Sequence, residues 1–326
     1  MKEGISMKAA VINSKGIAPV YDDFANPVAD GDNLLLAVNS VSLTMMTRQR
    51  ASGQFIPGQV YPFVAGMDGI GTKIDGERVY FVSPTSPFGS LAEETIVNYK
   101  NMTIVPDGVS DELAATIANP GMSSWTALMD RAHFVPGQTV LINGATSTAG
   151  SLAVKVARYL RAGKIIATGR NLEKLSKVGA DEVIAFDMTA DDGIEKFQDA
   201  LKDDVVDGID VVLDYLWGDS AISIMSAVSK FNSFYPAKFV NVGLAGGQIE
   251  LPIPATLLRF TSMELLGSGA GSITNEQTLK AVDNIFKIAQ EVDMSIPTVT
   301  YDLSDIKAAW AAPSTPRGVI KVTRES

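Results

Sequence analysis

The stretch Val140-Leu141-Ile142-Asn143-Gly144-Ala145-Thr146-Ser147-Thr148-Ala149-Gly150 constrains the fold of this chain more than any other. Val140, Leu141 and Ile142 make a short apolar run that stops at Asn143 and Gly144. Beyond the turn, apolar residues recur at Leu152, Ala153, Val156, Ala157 and Leu160, the spacing of a helix packed on a sheet. A buried strand that turns on glycine into a helix aims the unpaired N–H groups of that helix at one point, where a pyrophosphate would satisfy them. The glycine pattern is partial, because Gly144 and Gly150 stand six apart with Ser147 in the middle position. Two readings follow, an ordinary α/β turn or the phosphate-binding corner of a dinucleotide fold, and the strand–turn–helix context favours the second. On that reading Gly144, Ala145, Ser147, Thr148, Ala149 and Gly150 lie against the cofactor. Ser147 and Thr148 either cap the helix or donate hydroxyls to phosphate.

The next apolar strand, residues 164–168, ends in Gly169-Arg170-Asn171. A site for NAD usually carries Asp or Glu at this tip, to accept from the ribose 2′-OH. Here the acid is missing and a guanidinium is present. Arg170, Asn171 and Lys174 are close enough in sequence to share a 2′-phosphate, so the expected cofactor is NADPH. The plainer alternative is that Arg170 is a solvated surface arginine.

At 326 residues the chain has room for about two domains with cores of their own. Its 46% hydrophobic and 20% charged content is that of an ordinary globular protein. A formal charge of −10 argues against nucleic acid as a partner. The sequence has no cysteine, so it forms no disulfide and says nothing of redox compartment. Its longest uncharged run, residues 132–154, is broken by Pro136, Gly137, Asn143, Gly144 and Gly150, and no membrane span is expected. No apolar leader is visible and the expected location is cytoplasmic. Residues 1–6 read as an extension ahead of a second start at Met7.

The first third is β-rich, with strands expected at residues 8–13, 33–43, 69–74 and 78–82. An acid-started helix is expected over residues 111–118, and a second from about residue 123 that stops before Pro136. From residue 138 strands alternate with helices, the further strands falling at residues 183–186, 209–213, 239–242 and 263–266. That alternation predicts an α/β fold with a parallel, doubly wound sheet. Helices are expected over residues 279–290 and 305–312, and a final strand, residues 318–322, that returns to the first domain.

This order of segments resembles the medium-chain dehydrogenase/reductase superfamily, and within it the zinc-independent quinone oxidoreductase-like branch. The likeness runs over most of residues 7–326. It is carried by Val64-Ala65-Gly66-Met67-Asp68-Gly69-Ile70-Gly71, Glu77-Arg78-Val79, Gly89-Ser90-Leu91-Ala92-Glu93-Glu94, Val105-Pro106-Asp107-Gly108, Val135-Pro136-Gly137-Gln138 and Val178-Gly179-Ala180-Asp181, in that order. The resemblance implies a Rossmann domain, residues 119–291, inserted into a β-rich GroES-like catalytic domain, residues 1–118 and 292–326, with the active cleft between them. Zinc-dependent relatives use Cys and His ligands. This chain has no Cys and one His, His133, which reads as a helix-end residue, so no metal site is expected.

The resemblance also implies roles for single residues. Thr126 would pack near the nicotinamide. Val242, Gly243 and Leu244 would flank the crossing from adenosine to nicotinamide, and Gly267 and Ser268 would hold the carboxamide. Asp214-Tyr215-Leu216-Trp217-Gly218 replaces the family's Asp-x-Val-Gly-Gly, and the bulky Trp217 would narrow the cleft. Relatives usually carry Asn at Thr44, Asp at Thr47 and, in many, Tyr at Phe55, so a tyrosine proton donor is not expected. Thr44 keeps a hydroxyl for a ribose or substrate oxygen. Arg48 and Arg50 are candidate stabilisers of negative charge, although arginines near a loop usually face solvent.

Without a metal Lewis acid, alkoxide chemistry loses its stabiliser, while a quinone or an α,β-unsaturated carbonyl (an enone) accepts hydride at carbon with hydrogen bonding alone. The expected activity is therefore an NADPH-dependent, metal-free quinone or enone reductase, an oxidoreductase. Two rivals stay open: a 2-enoyl thioester reductase, and a catalytically weak nucleotide-binding structural protein. A homodimer is expected, built on the apolar edge strand at residues 262–266.

Overall fold

Val140, Leu141 and Ile142 have no exposed surface, as a strand covered on both faces of a parallel sheet requires. The protein is described here from a computed structural model, over residues 6–52 and 59–323. In chain order its strands are β1 (Ser6–Ile12), β2 (Val20–Ala25), β3 (Asn33–Ser42), β4 (Phe63–Val64), β5 (Asp68–Lys73), β6 (Arg78–Val82), β7 (Glu94–Asn98), β8 (Met102–Ile104), β9 (Thr139–Asn143), β10 (Lys164–Gly169), β11 (Glu182–Ala185), β12 (Val211–Asp214), β13 (Lys238–Asn241), β14 (Glu264–Gly267), β15 (Thr298–Asp302) and β16 (Arg317–Lys321). The chain divides into two compact units, Met1–Asn119 with Val282–Ser326, and Pro120–Ala281.

The second unit is α/β. Its six strands lie in the order β11-β10-β9-β12-β13-β14, and every neighbouring pair is parallel. Counted along the chain this is the doubly wound order 3-2-1-4-5-6, whose switch point falls between β9 and β12. The helix Thr148–Tyr159 buries Leu152, Ala153, Val156 and Ala157. Helices Gly193–Ala200, Lys202–Asp207 and Gly218–Phe231 contribute Phe197, Val205, Ile224 and Met225 to a core shared with Leu141, Ile166, Val212 and Phe239 of the sheet.

The first unit is β-rich. Its larger sheet runs β15-β16-β3-β5-β6-β8, with β7 also paired to β3, and a smaller sheet runs β2-β1-β4. β16 pairs antiparallel with β3 and parallel with β15, so the end of the chain returns to this unit. Leu36, Val38, Val41, Phe63, Phe81, Leu91, Ile306 and Ile320 form its core.

One expected boundary is overturned. Residues 111–118 and 123 onward are not separate helices: Asp111–Thr126 is continuous through Pro120 and passes into a π-helical turn, Ala127–Arg131. A proline inside a helix removes one donor and crowds the turn before it. Here Thr116, four residues earlier, directs its hydroxyl to the carbonyls of Glu112 and Leu113, while the Ser123 and Ser124 hydroxyls donate to the Pro120 carbonyl. Hydroxyls bonding back along the helix accommodate the irregular turns. His133 follows this helix, exposed, with φ of 50°.

Candidate functional site

The turn after β9 is built from side chains as well as glycines. Gly144 has φ of +89°, and a Cβ there would lie 2.9 Å from Leu216, so both backbone and packing demand glycine. A Cβ on Gly150 would stand 2.3 Å from the Gly144 carbonyl oxygen, the close helix–strand approach of the third glycine in a dinucleotide turn. Ser147 resolves the incomplete motif. Its Oγ accepts from the Gly150 N–H at 3.0 Å and donates to the Gly144 carbonyl at 2.9 Å, which folds the side chain back into the turn. The amides of Gly144 and Ala145 both donate to Thr168 O at 3.0 Å. Of the predicted phosphate donors, the amides of Gly144 and Ala145 are therefore already taken by β10, and those of Ser147 and Gly150 by acceptors within the turn. Thr148 and Ala149, the first two residues of a twelve-residue helix, have none within it, and they carry the positive end of its dipole. A pyrophosphate fits this cradle.

At the end of β10, Gly169 is buried, and Arg170, Asn171 and Lys174 are all exposed. The Asn171 side chain caps the short helix Leu172–Leu175 by accepting from the Lys174 N–H at 2.8 Å. This leaves its amide nitrogen as the group it can offer an anion. The Thr189 hydroxyl and backbone hold the Asp187 carboxyl below its ordinary range, with the Arg170 charge adding to them.

The remaining loops also begin at strand ends. The amides of Val242 and Gly243 donate to Asp214 O at 2.7 and 3.1 Å, and Leu244 is 53% exposed. Gly267 is exposed and its carbonyl accepts from Arg131 Nε at 2.7 Å, while Ser268 is buried and its amide bonds Asn241 O. Thr126 is buried, and its hydroxyl donates to Met122 O and Ser123 O of its own helix. Sequence reasoning missed Asn143, Thr168 and the half-buried Asn241, which join Asp214 in one hydrogen-bonded row; they read as ordinary strand-end residues and only register reveals them. Burial pushes the Asp214 carboxyl up, opposed by the Leu216 amide, Asn143, the Trp217 amide and Asn241.

In the first unit, Thr44 caps the helix Met45–Ala51, accepting from the Thr47 N–H at 3.2 Å, and the two hydroxyls lie 3.0 Å apart. The picture of Arg48 and Arg50 as loop arginines facing solvent is corrected. Both lie on this helix. Arg48 donates to the carbonyls of Ala309, Trp310 and Ala312, and Arg50, 4% exposed, donates to those of Gly66 and Phe88. A guanidinium buried without a carboxylate takes carbonyl oxygens as acceptors, and here those bonds tie the helix to its own unit. Burial lowers the pKa of each. Phe55 lies outside the described residues. Asp68, at the start of β5, is 5% exposed and accepts from the Tyr80 hydroxyl at 3.0 Å. Burial pushes its carboxyl up to about 6, against the pull of Tyr80 and the Arg317 charge. A groove of about 690 Å³ in this unit is lined by Asn39, Thr72, Lys73, Glu94 and their neighbours, and by none of the candidate residues.

Among the described residues, no three His, Cys, Asp or Glu side chains are grouped to hold a metal ion, and no helix is long and apolar enough to cross a membrane.

No family model matches the sequence. The chain is 26% identical over 333 residues to a probable NADPH-dependent quinone reductase of Emericella nidulans, a match covering 90% of this chain and 92% of that one. It is 28% identical over 230 residues to quinone oxidoreductase-like protein 2 of Bos taurus, where the match covers 66% of this chain and 61% of that one. The quinone oxidoreductase of Thermus thermophilus, solved alone and in complex with NADPH, superposes with a TM-score of 0.75 at 23% identity, covering 97% of this chain and all of that one. In the doubly wound order of its parallel sheet, and in the β-rich unit that encloses it in sequence, the chain shares the fold of the solved quinone oxidoreductases and is similar in sequence to quinone reductases.

Proposed function

We propose that this protein is an NADPH-dependent oxidoreductase that reduces a quinone or an α,β-unsaturated carbonyl without a metal ion. What supports the reading is a pair of adjacent features at the ends of β9 and β10, a free helix N-terminus and an exposed basic cluster. The Ser147-capped helix N-terminus suits a pyrophosphate, and the exposed Arg170, Asn171 and Lys174 suit a 2′-phosphate. Bound there, NADPH supplies the hydride. The protein's share is to orient, to exclude water and to hydrogen-bond the substrate oxygen on which charge develops. Thr44 is the side chain we assign to that last role. The names of the relatives from Emericella nidulans and Thermus thermophilus support the choice of cofactor and acceptor. The absence of cysteine and the single histidine support metal-free chemistry.

The test is NADPH oxidation, followed by the loss of its near-ultraviolet absorbance, against a panel of quinones and enones, with and without a strong chelator. Turnover that survives chelation is expected. Turnover lost to chelation and restored by Zn²⁺ overturns the metal-free part. A second reading, nucleotide binding without turnover, is favoured by the engagement of Thr44, Arg48 and Arg50 within their own unit. Tight NADPH binding with no oxidation by any acceptor selects it.

A further inference from the structure

Four polar side chains stand in one row across the carboxyl ends of the central strands. Thr168 of β10 is opposite Asn143 of β9, Asn143 is opposite Asp214 of β12, and Asp214 is opposite Asn241 of β13. The row is joined throughout. Thr168 Oγ1 donates to Asn143 Oδ1 at 2.8 Å, Asn143 Nδ2 donates to Asp214 Oδ1 at 2.9 Å, and Asn241 Nδ2 donates to Asp214 Oδ2 at 3.3 Å. Asn143 Nδ2 also reaches Ser220 Oγ at 2.9 Å, at the start of the helix Gly218–Phe231. Thr168, Asn143 and Asp214 have no exposed surface.

Stability alone does not call for such a row, because apolar side chains of similar volume fill a sheet core at no desolvation cost. What the row does is fix directions. Each strand end that it links is followed at once by a loop of the candidate site: Gly144, Gly169-Arg170, Leu216-Trp217 and Val242-Gly243. Asp214 accepts the amides of Leu216 and Trp217 at 3.1 Å, and Asn241 Nδ2 also donates to Gly243 O at 3.0 Å. Trp217 needs that hold, since its φ of 62° and ψ of −168° lie where residues other than glycine are strained. Leu216, fixed in this way, packs against Gly144.

We propose that Asp214 and the row it anchors are positioning residues for the coenzyme, setting the four loops at one height across the switch point. The proposal rests on the NADPH reading. It makes a discriminating demand at Thr168, where the hydroxyl orients Asn143 and the methyl only fills space. Thr168→Ser keeps the hydroxyl and deletes a buried methyl, whereas Thr168→Val keeps the shape and leaves Asn143 Oδ1 unpaired.

NADPH affinity is measured by fluorescence titration, beside thermal melts and hydrogen–deuterium exchange of the cofactor-free protein. Thr168→Ser should bind within about twofold of wild type, and Thr168→Val about fivefold or more weaker, the loss of one buried hydrogen bond. In Thr168→Val the amides of residues 144–147 and 215–218 should exchange faster. Asp214→Asn, which turns an acceptor into a donor among donors, should weaken binding by about tenfold or more. If Asp214→Asn does not fold, the Thr168 pair carries the test. Affinities that follow melting temperature, with Ser as damaging as Val, overturn the positioning role, as does unimpaired binding by Thr168→Val. Wild-type protein that binds no NADPH overturns the cofactor reading and the proposal with it.

Discussion

Arg170 stands at the tip of β10 where an acid would accept from a ribose hydroxyl, and it is exposed, so an anion reaches it without displacing packed structure. Replacing it removes one charge-assisted contact, about 1.5–3 kcal/mol. Arg170→Ala should therefore weaken NADPH about tenfold or more while leaving NADH nearly unchanged, by titration with each cofactor. Equal losses for both would show that Arg170 does not read the 2′-phosphate. Asp68 has a different consequence, on stability. Its carboxyl titrates at about 6 in the folded protein, raised by burial from an ordinary value of 3.8. Between those values the folded state holds the proton more tightly than the unfolded state. This group's contribution is then fully present below about pH 4 and is lost as pH rises to about 6, a swing of roughly 3 kcal/mol. Asp68→Asn should flatten that part of the stability profile, measured by urea unfolding from about pH 4 to about pH 7. An unchanged slope would place its source elsewhere. Of these two side chains, Arg170 is legible in the sequence because the role proposed for it follows from local spacing. Asp68 is not, because the groups that act on it, the Tyr80 hydroxyl and the Arg317 charge, are 12 and 249 residues away.

The helix Thr148–Tyr159 shows why local signals carry well in this chain. A β-branched strand, a glycine turn, a serine cap and a spaced apolar face all act within about twenty residues, and all agree. Ser147 makes two bonds in the turn, so Ser147→Ala should cost about 1 kcal/mol and lower the melting temperature by about 2–4 °C. Ser147→Gly, the residue of the complete motif, should cost less, since glycine is tolerated at the cap. A serine variant series with no thermal effect would remove the cap from the account. Signals fail where distant partners decide. Pro120 looks like a helix break because its local penalty is visible, whereas the hydroxyls of Ser123 and Ser124 that satisfy its carbonyl require the helix to exist first. β15 lacks a clear alternating pattern and is a strand because β16 lies beside it. The polar row at Asn143, Thr168, Asp214 and Asn241 is equally silent, since four strands must be in register before it appears.

For the molecule as a whole, the open feature is the edge of the parallel sheet. β14 pairs with β13 on one side, and among the described residues no strand pairs with its other side. Unprotected edges invite another strand, and natural proteins usually blunt them with charge or cover them. Here the approach to the edge is apolar and open: Ile249 is 80% exposed, Leu258 49%, Phe260 65% and Leu265 36%. Pro252 and Pro254 keep the preceding segment out of the sheet, because proline has no donor for a ladder. A second copy of the same edge, related by a two-fold axis, covers both apolar surfaces and leaves nothing open for further growth. We therefore expect a homodimer built on β14. Light scattering at micromolar concentration should give twice the 34.6 kDa chain mass. Ile249→Lys with Phe260→Lys should shift the protein toward monomer without lowering the melting temperature of the chain at high dilution, since neither side chain is buried within it. A stable wild-type monomer at micromolar concentration, or a dimer indifferent to both charges, would move the interface away from this edge.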